Sequence, residues 1–330
     1  SSDRLVAPYA GDSPLPGFTQ SAEGHVFVDT QDGSVTANLD SHADITDLQR
    51  VLGPGSQLPS RVSLEQRIAV KLAGGALEIS RLDNRLVDDE QNTVIASALA
   101  QTLSVPLDDP LALLAREQQL LSLDVTELPL GWFDGMAPEV IIRGTVATTR
   151  FELSSDADGL VRLAPTAPMI IDGIAIEHGG APLADGLRLA VSPRIVRDDS
   201  GLHASLDDLT ASSNELAIAA VKLTANMPAA TDGTQATDLQ LSGRFDIDPL
   251  LQQPGFTSLL TDVSLPQALS LHIDGKLKLA GDTIRIRALK ARFSQPDRDD
   301  LVRAEARYRS AISTSRGCRR SSIPTRSADA

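Results

Sequence analysis

The stretch that decides the fold is LPQALSLHIDGKLKLAGDTIRIRALKARF, residues 265–293. Its alternating apolar positions are Leu269, Leu271, Ile273, Leu277, Leu279, Ile284 and Ile286. A period of two is typical of a β-strand with one apolar and one solvated face. Gly281-Asp282 interrupts the alternation with a turn signal. The stretch therefore predicts an antiparallel β-hairpin.

The same pattern occurs a second time, near the start of the chain. Residues 58–86 align on residues 265–293 without gaps, and 11 of the 29 positions are identical. The apolar positions of this copy are Ile68, Val70, Leu72, Leu77 and Ile79. Upstream, residues 43–48 match residues 245–250, which adds a strand and a short crossing segment to each unit. Repetition of a β unit predicts stacking into one extended sheet, because each unit leaves an apolar face beside its neighbour. A duplicated domain in a two-domain β protein is the alternative.

Composition limits the classes of function. The chain has 330 residues, 42% of them hydrophobic and 3% aromatic, with a formal net charge of −14. The negative charge argues against nucleic acid as a partner, because phosphate binding needs a basic surface. No apolar run approaches the roughly 18 residues of a membrane-spanning helix. The single cysteine, Cys318, cannot form an internal disulfide.

No catalytic or metal-binding constellation is visible in the sequence. The histidines are scattered singly, at His25, His42, His178, His203 and His272. Residues 29–33 and 156–159 are similar to calcium loops but lack the acidic residue at position twelve, so both are interpreted as turns. Nucleophile and phosphate-loop motifs are absent. We therefore expect neither an enzyme nor a cofactor or metal site.

Alternation, turn signals and the repeat together predict a mainly β protein. We expect an elongated, curved and groove-like antiparallel sheet, built from hairpin repeats with a few short helices. The predicted organisation is a flexible start at 1–23, β-groove units at 24–153 and 154–302, and a disordered basic tail at 303–330. A short helix is predicted at 109–121, opened by Asp109-Pro110. Residues 93–105 fit a helix or a strand, and residues 140–153 are a long strand candidate.

A continuous apolar strip on such a sheet has two uses. It can be the core of a sandwich closed by a second sheet, which composition alone favours. The chain would then be a structural or adhesive envelope module. The strip can also stay open and accept hydrocarbon, since each acyl methylene removed from water contributes about 0.8 kcal/mol. The residues that would line an open groove are Ile68, Val70, Leu72, Leu77, Ile79, Leu269, Leu271, Ile273, Leu277, Leu279, Ile284 and Ile286. A third hypothesis is a carbohydrate-acting hydrolase whose acidic residues converge from distant strands.

The sequences of three stretches resemble those of the AsmA-like envelope proteins of Gram-negative bacteria, a family that includes TamB-type members. These stretches are LSGRFDIDPLL (residues 241–251), GLHASLDDLTASSNELAIAAVKLTAN (201–226) and residues 265–293. The resemblance implies a U-shaped β groove that carries phospholipid, or another acyl-chain lipid, towards the outer membrane. It also implies a periplasmic location and an inner-membrane anchor. The sequence contains no such anchor helix, so we expect it to be a fragment.

Overall fold

The computed structural model describes residues 17–48, 57–134, 139–229, 236–257, 268–280, 283–296, 298–306 and 311–313. All strands within these residues belong to one antiparallel sheet, which is curved and not closed. Helices are few and short. The predicted fold class is therefore confirmed.

The strands follow one another with short connections. They are β1 (Gly17–Asp29), β2 (Ser34–Thr46), β3 (Arg61–Ala73), β4 (Ala76–Val87), β5 (Thr93–Leu99), β6 (Leu103–Pro106), β7 (Gln118–Val125), β8 (Leu128–Pro129), β9 (Val140–Val146), β10 (Thr149–Ser155) and β11 (Val161–Pro165). They continue as β12 (Met169–His178), β13 (Ala181–Val191), β14 (Pro193–Asp198), β15 (Gly201–Ser213), β16 (Leu216–Pro228), β17 (Ala236–Asp246), β18 (Ser270–Ala280), β19 (Thr283–Gln295), β20 (Arg298–Ala306) and β21 (Ala311–Ser313). The helical elements are 3-10 turns at Pro110–Leu113 and Leu130–Phe133, α1 (Ile247–Leu251) and α2 (Pro254–Thr257).

The sheet is an up-and-down meander. Several of its strands are broken into two collinear pieces, so that β9 and β10 together pair with β12 and β11. In the same way β13 and β14 both pair with β15. Among the described residues, β1 pairs with β2 alone, and β20 and β21 pair with β19 alone. Within the part of the chain that the structure describes, the sheet therefore has two free edges.

The internal repeat is also a repeat of strand register. We call β3–β4 the N-terminal hairpin and β18–β19 the C-terminal hairpin. Every cross-strand pair of the first has a counterpart in the second, shifted by the 207 positions that separate Leu58 from Leu265. Both hairpins also contain a β-bulge, with Ser80 and Arg287 as the extra residues. The two segments therefore share a backbone plan and lie in one sheet.

Some boundaries differ from the sequence-based expectation. The predicted helix at 109–121 is wrong beyond its first turn: a 3-10 turn ends at Leu113 and β7 begins at Gln118. Pairing of β7 with both β5 and β10 continues the sheet across this segment, whereas a helix here would leave the facing backbone groups of β5 and β10 unpaired. Residues 17–23, expected to be flexible, belong to β1. The ambiguous residues 93–105 are strand for most of their length, as β5 and β6.

Two further sequence-based expectations concern a strand candidate and the ends of the chain. The strand candidate at 140–153 is confirmed as two strands, β9 and β10. Most of the predicted tail at 303–330 lies outside the described residues, as do residues 1–16.

Burial is concentrated at the strand ends where crossing segments lie. Ile218, Ile247 and Leu269 are buried there, and the Ile247 amide donates a 2.9 Å hydrogen bond to the Leu269 carbonyl. No large side chain in the described part of the chain is completely buried. A closed core would contain such side chains, so the sheet is a single, thinly covered layer. None of the described helices has the length and apolar character needed to span a bilayer.

Candidate functional site

One side of the sheet carries an unbroken row of apolar side chains. Residues directly opposite each other on antiparallel strands point to the same side. The row contains Leu99, Leu121, Leu153, Leu163, Ile195, Ala204, Ala225, Leu239, Leu277 and Ile286, one from each of ten neighbouring strands. With about 4.8 Å between strands, it is roughly 43 Å long. We call this side the apolar face and the other side the polar face.

Most of the residues proposed as groove lining lie on the apolar face. Leu277 and Ile286 are members of the row. The rest of this set are Ile68, Val70, Leu72, Leu77, Ile79, Leu271, Ile273 and Leu279, as their register shows. Leu269 precedes β18 and is buried against the crossing segment instead. Ile284 is opposite Leu279 in register, but its side chain lies outside the described part of the structure. Contact of these residues with lipid stays a prediction.

The apolar face is only partly covered. Leu39, Leu64 and Leu72 expose 38%, 39% and 38% of their surface, and most other large residues of the face are half-buried. The described strands include no second sheet that could seal this face. A two-sheet sandwich is therefore not formed by the described residues.

A polar ladder interrupts the apolar face near the N-terminal hairpin. Gln66 Nε2 donates to Asn84 Oδ1 at 2.8 Å, and Asn84 Nδ2 donates to Ser97 Oγ at 3.0 Å. The three residues are directly opposite one another in β3, β4 and β5. Because they satisfy each other, they add little exposed polarity to the face. The equivalent positions of the C-terminal hairpin are Ile273 and Ala291, which are apolar.

A cavity of about 610 Å³ lies near the strand ends at Arg197 and Met227, beside the 3-10 turn Pro110–Leu113. Its walls include Leu111, Val161, Leu202 and Met227, and the last three belong to the apolar face. Arg197 stands between Val161 and Leu202 in the same register. The Arg197 guanidinium therefore adds a positive group beside these aliphatic side chains, and Asp198 and Asp199 also line the cavity.

Beside this cavity, a turn brings together a serine, a histidine and an acid. Ser200 Oγ lies 2.9 Å from His203 Nε2 and donates to Asp198 Oδ1 at 2.6 Å. The pKa of His203 is raised, first by its hydrogen bond with Asn226 and then by Asp198. The Ser200 hydroxyl donates to the Asp198 carboxylate, so its proton is not directed at the imidazole. These contacts fasten the β14–β15 turn.

The two calcium-like stretches are turns closed by their own aspartates. Asp156 Oδ1 accepts hydrogen bonds from the amides of Asp158 and Leu160, both at 3.0 Å. Asp32 Oδ1 accepts one from the Ser34 amide at 2.8 Å, which helps to lower the pKa of Asp32. Within the described residues, no three His, Cys, Asp or Glu side chains come close enough to hold a metal ion.

Sequence reasoning missed Arg197 and the polar ladder. The signal for Arg197 was its parity with Pro193 and Ile195 in β14, which places a cation on the apolar side. The ladder could not be found from one strand, because its members become neighbours only through pairing. Comparisons with protein-family models, curated proteins and solved structures give no match to this chain.

Proposed function

We propose that this chain is a non-enzymatic lipid-binding segment that shields acyl chains on its apolar face. In this mechanism the acyl chains lie along the row and the head groups stay in water. No specific hydrogen bond is needed, because the hydrophobic effect is non-directional. The partner is a phospholipid or another acyl-chain lipid. The segment belongs to a lipid-transfer bridge of the cell envelope, and the full-length protein is anchored in the inner membrane.

One observation carries this proposal: ten successive strands present an apolar residue in the same row of an open sheet. Contiguous apolar surface of this extent is rare on soluble monomers and marks an interaction site. The resemblance to AsmA-like proteins supports a lipid as the occupant and the envelope as the location. Direct proof requires a lipid to be found on this face.

Fluorescence quenching tests the occupied face directly. Trp132 is the only tryptophan, so Trp132→Phe gives a silent background. Leu239→Trp in this background places the probe in the row, and Gln240→Trp places it one residue away on the polar face. With phospholipid brominated in its acyl chains, we expect strong quenching at position 239 and little at position 240.

Equal quenching at both positions, or none, would overturn the proposal for a protein that circular dichroism shows to be folded. A second measurement avoids dependence on a probe. Mass spectrometry of gently purified protein should detect bound lipid, and Leu163→Asp should abolish it, whereas Arg162→Asp on the polar face should not. Protein without lipid in every preparation would favour the structural or adhesive module instead.

A further inference from the structure

The polar face of the C-terminal hairpin is strongly basic, although the whole chain is acidic. Its two strands carry six Lys or Arg and one acidic residue. The cations are Lys276, Lys278, Arg285, Arg287, Lys290 and Arg292. All except Lys278 are exposed. From His272 to Lys278 the patch extends roughly 20 Å along β18.

Facing carboxylates neutralise only part of the patch. Lys222 of β16 and Arg244 of β17 add two cations to the same face of the sheet. Asp274 is directly opposite Lys290, Asp238 lies 3.6 Å from Arg287, and Asp246 forms an ion pair with Arg244. Asp207 and Asp208 of β15 line the same pocket as Lys222 and Arg244, and Glu305 of β20 is opposite Lys290 in register. The eight cations still outnumber these six carboxylates.

The N-terminal hairpin shows that the fold does not require this charge. At positions with identical register it has Glu65 opposite Arg85 and Lys71 opposite Glu78. The C-terminal hairpin instead has His272 opposite Arg292 and Lys278 opposite Arg285. Like charges directly opposite each other destabilise a sheet. The Lys278–Arg285 pair is therefore not explained by the pairing of the two strands.

We propose that the polar face of the C-terminal hairpin docks on an anionic lipid bilayer surface. Juxtaposed cations attract acidic head groups, and their effect falls off within a Debye length of about 8 Å at physiological salt. A local patch can therefore act although the chain as a whole carries −14. This inference does not depend on lipid bound to the apolar face.

The chemistry of the patch favours a bilayer over a nucleic acid. Phe293 is the aromatic residue of these two strands, and it lies on the apolar face opposite Leu271. The polar face of the hairpin thus offers no Phe, Tyr or Trp ring on which a base could stack. Its one ring is the His272 imidazole, whose Nε2 lies 3.1 Å from Ser294 Oγ. Several cations spread over one sheet face are suited to many mobile head groups.

Vesicle co-sedimentation tests this docking. The chain should co-sediment with vesicles that contain phosphatidylglycerol, and high salt should release it. It should not bind vesicles of pure phosphatidylcholine. Lys276→Ala combined with Arg285→Glu installs the residues of the N-terminal hairpin, Ala69 and Glu78. Each cation near the surface contributes about fivefold to partitioning, so the loss of two cations should weaken binding about 25-fold, and the added glutamate should weaken it further.

The N-terminal hairpin supplies the matched controls. Arg67→Ala with Arg81→Glu makes the same change of charge there and should leave binding almost unchanged. Glu78→Arg recreates the Lys278–Arg285 pair and should increase binding. Equal loss in both double variants would show a net-charge effect and overturn the proposal, as would binding to phosphatidylcholine or to duplex DNA in place of anionic vesicles. These outcomes are separate from the tryptophan quenching, which reports only on the apolar face.

Discussion

The N-terminal and C-terminal hairpins share a backbone and differ in surface chemistry. Both end next to a buried serine that donates to an aspartate of the preceding strand. Ser63 Oγ donates to Asp44 at 2.6 Å, and Ser270 Oγ donates to Asp246 at 2.7 Å. Register, bulge and this hydrogen bond are retained, whereas most outward charges and the polar ladder are not. Backbone geometry is thus specified by a few positions, and the rest of each surface is free to serve other purposes.

The largest expected effect concerns whether the two hairpins unfold together. Leu277→Ala should lower the free energy of unfolding by about 2 kcal/mol, near the low end for such truncations because Leu277 is half-buried. Its equivalent, Val70→Ala, should cost about 1 kcal/mol. In a meander, contacts join neighbouring strands only, so hydrogen exchange should accelerate around the mutated hairpin alone. Equal acceleration in both hairpins would show that the sheet opens as one unit.

The next largest expected loss of stability follows removal of the buried serine hydroxyl at the start of each hairpin. Ser270→Ala removes the 2.7 Å donor to Asp246 Oδ1, which keeps its hydrogen bond from Arg244 Nε at 3.0 Å, and should cost about 1 kcal/mol in urea unfolding. Ser63→Ala should destabilise to a similar extent, because Arg61 likewise still donates to Asp44 at 2.9 and 2.8 Å. A Ser270→Ala variant with an unchanged midpoint would show that this shared bond is incidental.

The polar ladder can be converted into its apolar counterpart. Asn84→Ala alone removes the acceptor of Gln66 and the donor to Ser97, and should cost about 1 kcal/mol. Gln66→Ile together with Asn84→Ala installs the residues of the C-terminal hairpin and should recover most of that loss. Thermal unfolding of both variants measures the difference. A double variant less stable than the single one would contradict the equivalence of the two apolar faces.

At one position of the apolar face, the N-terminal hairpin has a large apolar residue and the C-terminal hairpin has a glycine. Gly275 occupies the position of Ile68, and a Cβ there would lie 3.7 Å from Leu289 Cδ1 and 3.8 Å from Leu277 Cδ1. These are ordinary contacts, so Gly275→Ala should stabilise the protein by about 0.5 kcal/mol through the lower entropy of the unfolded chain. Gly243→Ala is the control, because its Cβ would meet Val221 and Phe245 at 3.3 and 3.2 Å. A loss of stability in Gly275→Ala would mean that this position is tighter than described.

The smallest expected effect is a change in how the stability of the protein depends on pH in acid. Hydrogen bonds from Ser63, and then Arg61, lower the pKa of Asp44 from its usual 3.8. Its contribution to stability is therefore complete above pH 3.8 and is lost as the pH falls through the folded-state value. Asp44→Asn should flatten the fall in urea midpoint below about pH 4. An unchanged acid profile in this variant would assign the acid sensitivity to other carboxylates.

The hairpins were predictable because a period of two is a local signal. Alternation fixed which side chains share a face, and the aligned segments did pair in equivalent registers. Long-range features were not predictable. The helix expected at 109–121 rested on Asp109-Pro110 and leucine spacing, yet pairing of β7 with β5 and β10 stabilises a strand from Gln118. The position of Arg197 within the apolar face likewise depended on strand neighbours.

The meander has a consequence for how such a protein changes length. Each strand is hydrogen-bonded to its neighbours along the chain, so insertion or deletion of one hairpin leaves every other register intact. Each added pair of strands would lengthen the sheet by roughly 10 Å. Duplication of segments like residues 58–86 could therefore match the molecule to a required span in equal increments, without redesign of the existing strands.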